Sequence, residues 1–147
     1  MLHLDQSVPV DPRFPLSGPE LMEIFEGLAA AFGLNAWELS LRIVDDGEMA
    51  ELNDRFMGCL GPTNVLSFPG GDGDWLGDLV LSVDTLVRES QIYNQDPYEY
   101  AVRLLAHGLL HLMGHDHGPE MEALTELAVD SIRLDAEESL RRLFPSI

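Results

Sequence analysis

Apolar residues recur at helical spacing from residue 20 to residue 32, where Leu21, Ile24, Phe25, Leu28 and Ala31 share one face. Pro19 fits the first turn of this helix, Ser17 or Gly18 caps it, and Gly33 ends it. The period then changes. "ELSLRIV" at residues 38–44 alternates apolar and polar positions, as a half-buried strand does. Asp45 or Asp46 can cap a short helix running through Leu52 and Phe56. Two β-rich pieces follow, "TNVLSFP" at 63–69 and "LGDLVLSV" at 76–83, joined by the turn-forming "GGDGDW". Asp84 starts another short helix. Pro97 opens a longer one, which carries Tyr100, Leu104, Leu105, Leu109 and Leu112 to Gly114. Gly118 and Pro119 separate it from a last helix reaching about Arg142. Pro9, Pro12, Pro15 and Pro19 mark an extended lead-in over about residues 1–17. Helices and strands interleave, which predicts an α/β (α+β) architecture with a small mixed sheet, as a single domain over residues 1–147.

Composition narrows the class. Hydrophobic residues make up 46% of the chain and the mean hydropathy is +0.01, values of a globular, soluble protein. No stretch approaches the roughly 20 apolar residues of a membrane span. The N-terminus lacks the basic start and apolar run of a secretory signal, and a lone cysteine suits a reducing cytoplasm. The single cysteine, Cys59, rules out an internal disulfide and reads as a small, semi-buried apolar residue. Charge is the unusual feature: 26 acidic residues face eight arginines without a lysine, for a formal net charge of −18. Such a field repels polyanions. A nucleic-acid partner would therefore require a local patch or a metal ion, although acidic surface residues also serve plain solvation.

The candidate chemistry lies in "HGLLHLMGHDH", residues 107–117, which hold four of the five histidines. His107 and His111 lie one turn apart on one helix face, about 6 Å along the axis, and can converge on one ion. His115 continues the spacing but stands about 12 Å from His107 along a straight helix, too far to share that ion. Gly114 favours a left-handed helix end that reverses the chain. Past it, His115 leaves the helix face and His117 can swing back. His107, His111 and His117 then form a three-nitrogen set with an open position, the pattern of catalytic zinc. His115 falls at the rim, and Asp116 is placed to orient a histidine or a water, or simply to make a turn.

Metzincin proteases carry the same spacing in H-E-x-x-H-x-x-G-x-x-H. Here Gly108 replaces their general-base glutamate, so the zinc geometry is kept without the proton acceptor that peptide hydrolysis needs.

The eleven-residue run also matches every fixed position of H-G-x-L-H-L-x-G-x-D-H, the signature of the YbeY family of bacterial rRNA-maturation endoribonucleases, which the chain resembles. "LNDRFMGCLGPTNVLSFP" is similar to that family's L-N-x-x-[FY]-R-x-x-[DE]-x-P-T-[DN]-V-L-S-F. "LGDLVLS" resembles its G-D-I-V-I-S strand, and "MEALTE" at 121–126 its following helix. The matches keep their order over roughly residues 38–127. The resemblance implies a four-stranded mixed sheet packed with about five helices, including a metzincin-like metal helix. It also implies a cytoplasmic zinc endoribonuclease, with a single Zn2+ per chain, acting on single-stranded RNA. Its work would be 16S rRNA 3′-end processing and ribosome quality control, with the small subunit as partner. His107, His111 and His117 would be the zinc ligands, and Ser67 would line the substrate groove.

One position departs from the pattern. Met57 stands where the family has an arginine, with Leu60 in the neighbouring acidic slot. Arginine can bind a scissile phosphate through two N–H groups, and methionine cannot. Arg55 lies two residues away, on another helix face.

The residues and the resemblance together predict phosphodiester cleavage at zinc, with His115 or Asp116 relaying protons. Three imidazoles also accept nickel or copper. A metal hydrolase of a small substrate and a ribosome-associated binding or assembly factor with structural zinc are the rival readings. Trp75 and Phe68 could stack on bases or sit in the core. Arg103, Arg133, Arg141 and Arg142 could meet phosphate, or pair with neighbouring acids. Asp78 is noted only because "LGDLVLS" matches the family strand.

Overall fold

Periodicity and structure agree along most of the chain and part company at its start. The computed structural model describes residues 1–6 and 12–145, so Pro9 of the expected lead-in lies outside the described residues. That lead-in begins instead with a strand, β1 (Leu2–Gln6), hydrogen-bonded in parallel to β2 (Glu38–Val44), with Leu2 opposite Leu39. Five residues with alternate leucines carry too little pattern to declare a strand. Pairing with β2 and burial of Leu2 supply the rest.

Between these strands runs α1 (Gly18–Ala31), closed at its start by reciprocal Ser17–Glu20 capping bonds. After β2 comes α2 (Asp46–Met57), whose cap is Asp45, accepting from the Glu48 N–H at 2.8 Å. Asp46 does different work. Its carboxylate accepts from Ser82, Thr85 and Arg88, and so ties α2 to α3 (Val83–Ile92). Burial pushes that carboxyl up, but the bonds from Thr85, Ser82 and Arg88 outweigh it and leave the group below the ordinary carboxylate range.

The expected loop "GGDGDW" shrinks to a tight turn, because β3 (Val65–Asp72) and β4 (Trp75–Ser82) extend into it as an antiparallel hairpin. Gly77 permits the irregular pairing there: its φ is +135°, and a Cβ would lie 2.1 Å from the Phe68 carbonyl oxygen. The last helices are α4 (Pro97–Leu112) and α5 (Pro119–Leu143).

The four strands lie in the order β1-β2-β4-β3, with only β3 antiparallel to its neighbour, so the sheet is mixed and β3 is an edge strand. Side-chain alternation gives each face its own core. Leu39, Leu41 and Ile43 of β2, with Leu79 and Leu81 of β4, join α1, α4 and α5 in the main core. Val44, Leu66 and Val80 turn the other way and pack with Met49 of α2. Each fully buried leucine contributes about 1.5–3 kcal/mol of hydrophobic stabilisation. The same alternation aims Val65 and Ser67 at α4 and sends Phe68 to the α2 side.

Candidate metal centre

The helix that carries the site is closed at both ends. Asp96 caps α4 by accepting from the Glu99 N–H at 3.1 Å, and Pro97 occupies its first turn. At the far end the Gly114 N–H donates to the His111 carbonyl and the His115 N–H to the Leu110 carbonyl, both at 3.0 Å. With Gly114 at φ +94°, these two bonds make a Schellman ending that turns the chain back over the last turn of α4.

The reversal brings three rings together. Centroids lie 4.8 Å apart for His107 and His111, 4.9 Å for His107 and His117, and 4.6 Å for His111 and His117. One nitrogen from each ring lies within 4.8 Å of the others. The His115 ring is outside this cluster, but its backbone carbonyl accepts from His111 Nδ1 at 3.0 Å. A carbonyl can only accept, so Nδ1 carries the proton and Nε2 keeps its lone pair. This orienting bond comes from backbone, and the residue type at 115 gives no signal of it. Burial, and then the His111 and His117 rings, lower the His107 pKa to about 4. His107 therefore stays a neutral lone-pair donor at physiological pH. Three imidazoles so arranged, one with a fixed tautomer, suit a divalent transition ion.

The cluster opens on a cleft of about 730 Å³ between β3 and α4. Ser67, Asp116, His115, Met57 and Arg103 all border it. Ser67 also donates to the Gly108 carbonyl at 3.1 Å, holding the edge strand against the helix. The residue at 108 faces the sheet: a Cβ there would lie 2.9 Å from Leu79 Cδ2 and 3.3 Å from Val65 Cγ2. Packing thus favours glycine at 108, and a glutamate there would point toward β3 and β4 and displace the Leu79 and Val65 side chains.

Sequence reasoning missed one group. Asn64 Nδ2 and the Tyr100 hydroxyl both donate to Glu89 Oε1, at 2.9 and 3.0 Å, below the cleft wall. Burial first, and then Glu89, raise the Tyr100 phenol well above its ordinary range. The spacing Tyr100, Arg103, His107, His111 is one helical stripe, and that was the available signal.

Other candidates lie elsewhere. Phe68 packs edge-on against Phe56 on the far face of the sheet, so it is not a stacking platform beside the histidines. Trp75 lies near His3, and Asp78 accepts from Ser40, both away from the cleft. Arg133 pairs with Glu99 and Arg142 with Glu138, and neither borders the cleft; nor do Arg141, Arg55 or Leu60. Cys59 is exposed rather than semi-buried, because it follows the left-handed Gly58 where α2 ends.

Residues 19–131 match the family model described as "Endoribonuclease YbeY". The Endoribonuclease YbeY of Nitratidesulfovibrio vulgaris is 42% identical, over 79% of this chain and 85% of that one. Its counterpart in Oleidesulfovibrio alaskensis is 40% identical, over 77% and 81%. The solution structure of TM1509 from Thermotoga maritima shares the fold, with a TM-score of 0.65 at 23% identity over 95% of this chain and 93% of that one. With its histidine cluster set on this fold, the chain belongs to the YbeY endoribonuclease family.

Proposed function

We propose that this protein is a zinc-dependent endoribonuclease that cuts single-stranded RNA in the cleft beside β3, as part of 16S rRNA 3′-end maturation and ribosome quality control. The observation that carries the reading is the convergence of His107, His111 and His117 at one end of an open cleft. In this reading the three imidazoles hold the ion. Three nitrogen ligands leave a position open, as catalytic zinc does. A zinc ion so held would supply Lewis acidity toward a phosphoryl oxygen and toward the attacking water.

The chain's own residues do the rest. The His115 carbonyl keeps His111 in the tautomer that presents Nε2. Ser67 holds β3 beside α4 and lines the groove, where its hydroxyl, having donated to the Gly108 carbonyl, would still accept from a ribose or base donor. His115 and Asp116 line the cleft, and in this reading they would pass protons between solvent and the leaving oxygen. A small-subunit partner and a cytoplasmic location belong to the same proposal, since the substrate is found there. Among the described residues no helix is long and apolar enough to cross a membrane.

The test is a comparison of wild type with His111→Ala for metal content and for cleavage of single-stranded RNA, with and without chelator. Wild type should carry stoichiometric zinc and cut RNA, and His111→Ala should lose both. Full metal content in His111→Ala would refute the ligand assignment. Cleavage that persists in chelator would refute metal dependence. Binding to ribosomal subunits without metal-dependent cleavage would support an assembly factor instead, and turnover of an ester with none on RNA a small-substrate hydrolase.

A further inference from the structure

A polyanion entering a molecule of net charge −18 needs a cation where it lands. Among the described residues that border the cleft, Arg103 is the one with a permanent positive charge; Met57 contributes none and Asp116 is acidic. Arg103 projects from α4 one turn before His107, on the same helix face. Its side chain is about one-quarter exposed (26%). Nη1 is held by Glu126 of α5, while Nε is buried and donates to nothing among the described residues. Burial keeps Nε out of reach of a ligand, so the terminal Nη2 is the guanidinium donor left to meet a phosphate oxygen, with the charge-assisted strength of an arginine contact.

We propose that Arg103 is the phosphate-binding residue of the cleft. Glu126 grips Nη1 and aims the guanidinium, and Nη2 takes a backbone phosphate of single-stranded RNA beside the histidine cluster. This rests on the endoribonuclease reading. Arg103 is a positioning residue, for it secures the strand and takes no part in bond making. The competing account is that Arg103 only ties α4 to α5 through Glu126.

Binding of a fluorescent 2′-O-methyl single-stranded oligonucleotide, verified intact after titration, separates the two accounts. It would be measured on the metal-loaded protein across a series of salt concentrations. Arg103→Gln should weaken binding about tenfold and shift the slope of log affinity against log salt by about 0.7, one single-strand phosphate contact. Glu126→Gln removes the same tie but should stay within about twofold of wild type, since the cation remains. Arg103→Lys should restore the salt slope without the full affinity, because an ammonium is a point charge and lacks the planar group that Glu126 can hold on one side and phosphate on the other. Equal losses of affinity and melting temperature in Arg103→Gln and Glu126→Gln, with the slope unchanged, would overturn the proposal in favour of the tie. If wild type cuts RNA and Arg103→Gln binds as well as wild type, this inference alone fails. If wild type neither binds nor cuts single-stranded RNA, the endoribonuclease reading fails and takes the inference with it.

Discussion

His107 shows how much one side chain's surroundings change its chemistry. Burial, with the His111 and His117 rings beside it, moves its pKa from the ordinary 6.5 to about 4. In the unfolded chain it takes a proton near the ordinary value. Between the two values the unfolded state therefore binds more protons, so stability rises with pH and is lost as pH falls through this window. The metal-free protein should melt lower at about pH 5 than at about pH 7, and His107→Gln should flatten that stretch of the curve. Thermal unfolding in chelator across pH checks this; a His107→Gln curve parallel to wild type would count against it. Gly108 teaches a complementary lesson. Read along the sequence, it marks a lost general base. In the folded chain, a Cβ there would crowd Leu79 and Val65, so any side chain requires those neighbours to shift.

At the scale of elements, the site depends on how α4 ends. A helix alone can present His107 and His111, and nothing in its periodicity returns a third ring. The two backbone bonds at Gly114 and His115 do that, and they require the left-handed conformation at φ +94°. Gly114→Ala should cost about 1–2 kcal/mol of stability, the strain of a Cβ in that region. Metal affinity should fall by more than this strain alone accounts for, because His117 would be displaced. Denaturant unfolding and chelator competition measure the two quantities separately. Unchanged affinity would show that the turn does not place His117. The edge strand β3 is held by a different contact, Ser67 to the Gly108 carbonyl, which forms only where helix and strand have already packed.

For the whole molecule, the dominant quantity is the net charge of −18. Its long-range field opposes the approach of RNA, whereas the proposed contacts, at Arg103 and at an ion held by the histidines, would act at contact range. Raising salt from about 0.01 M to 0.15 M shortens the screening length from about 30 Å to about 8 Å. The association rate with single-stranded RNA should therefore rise over that range, the reverse of an electrostatically steered pair. Stopped-flow fluorescence would show it. A rate that falls with salt would mean that the field at the cleft mouth is locally positive and outweighs the rest of the surface.

By itself the sequence determined what is local. The stripes of α1 and α4, the alternation in β2, helix starts at Ser17 or Gly18 and at Asp45 or Asp46, and the i, i+4 histidines with the glycine after them depend on neighbours within a few residues. Repeat and spacing record such interactions directly. Tertiary structure decided everything that depends on distant partners. It recruited Leu2–Gln6 as a strand against β2 and decided which face of β3 meets α2, packing Phe68 against Phe56. It turned the backbone of His115 into the hydrogen-bond partner of His111, and left the buried Nε of Arg103 without an acceptor beside the cleft. These outcomes follow from strand register, chain reversal and packing between segments far apart in the chain, which composition and periodicity do not encode.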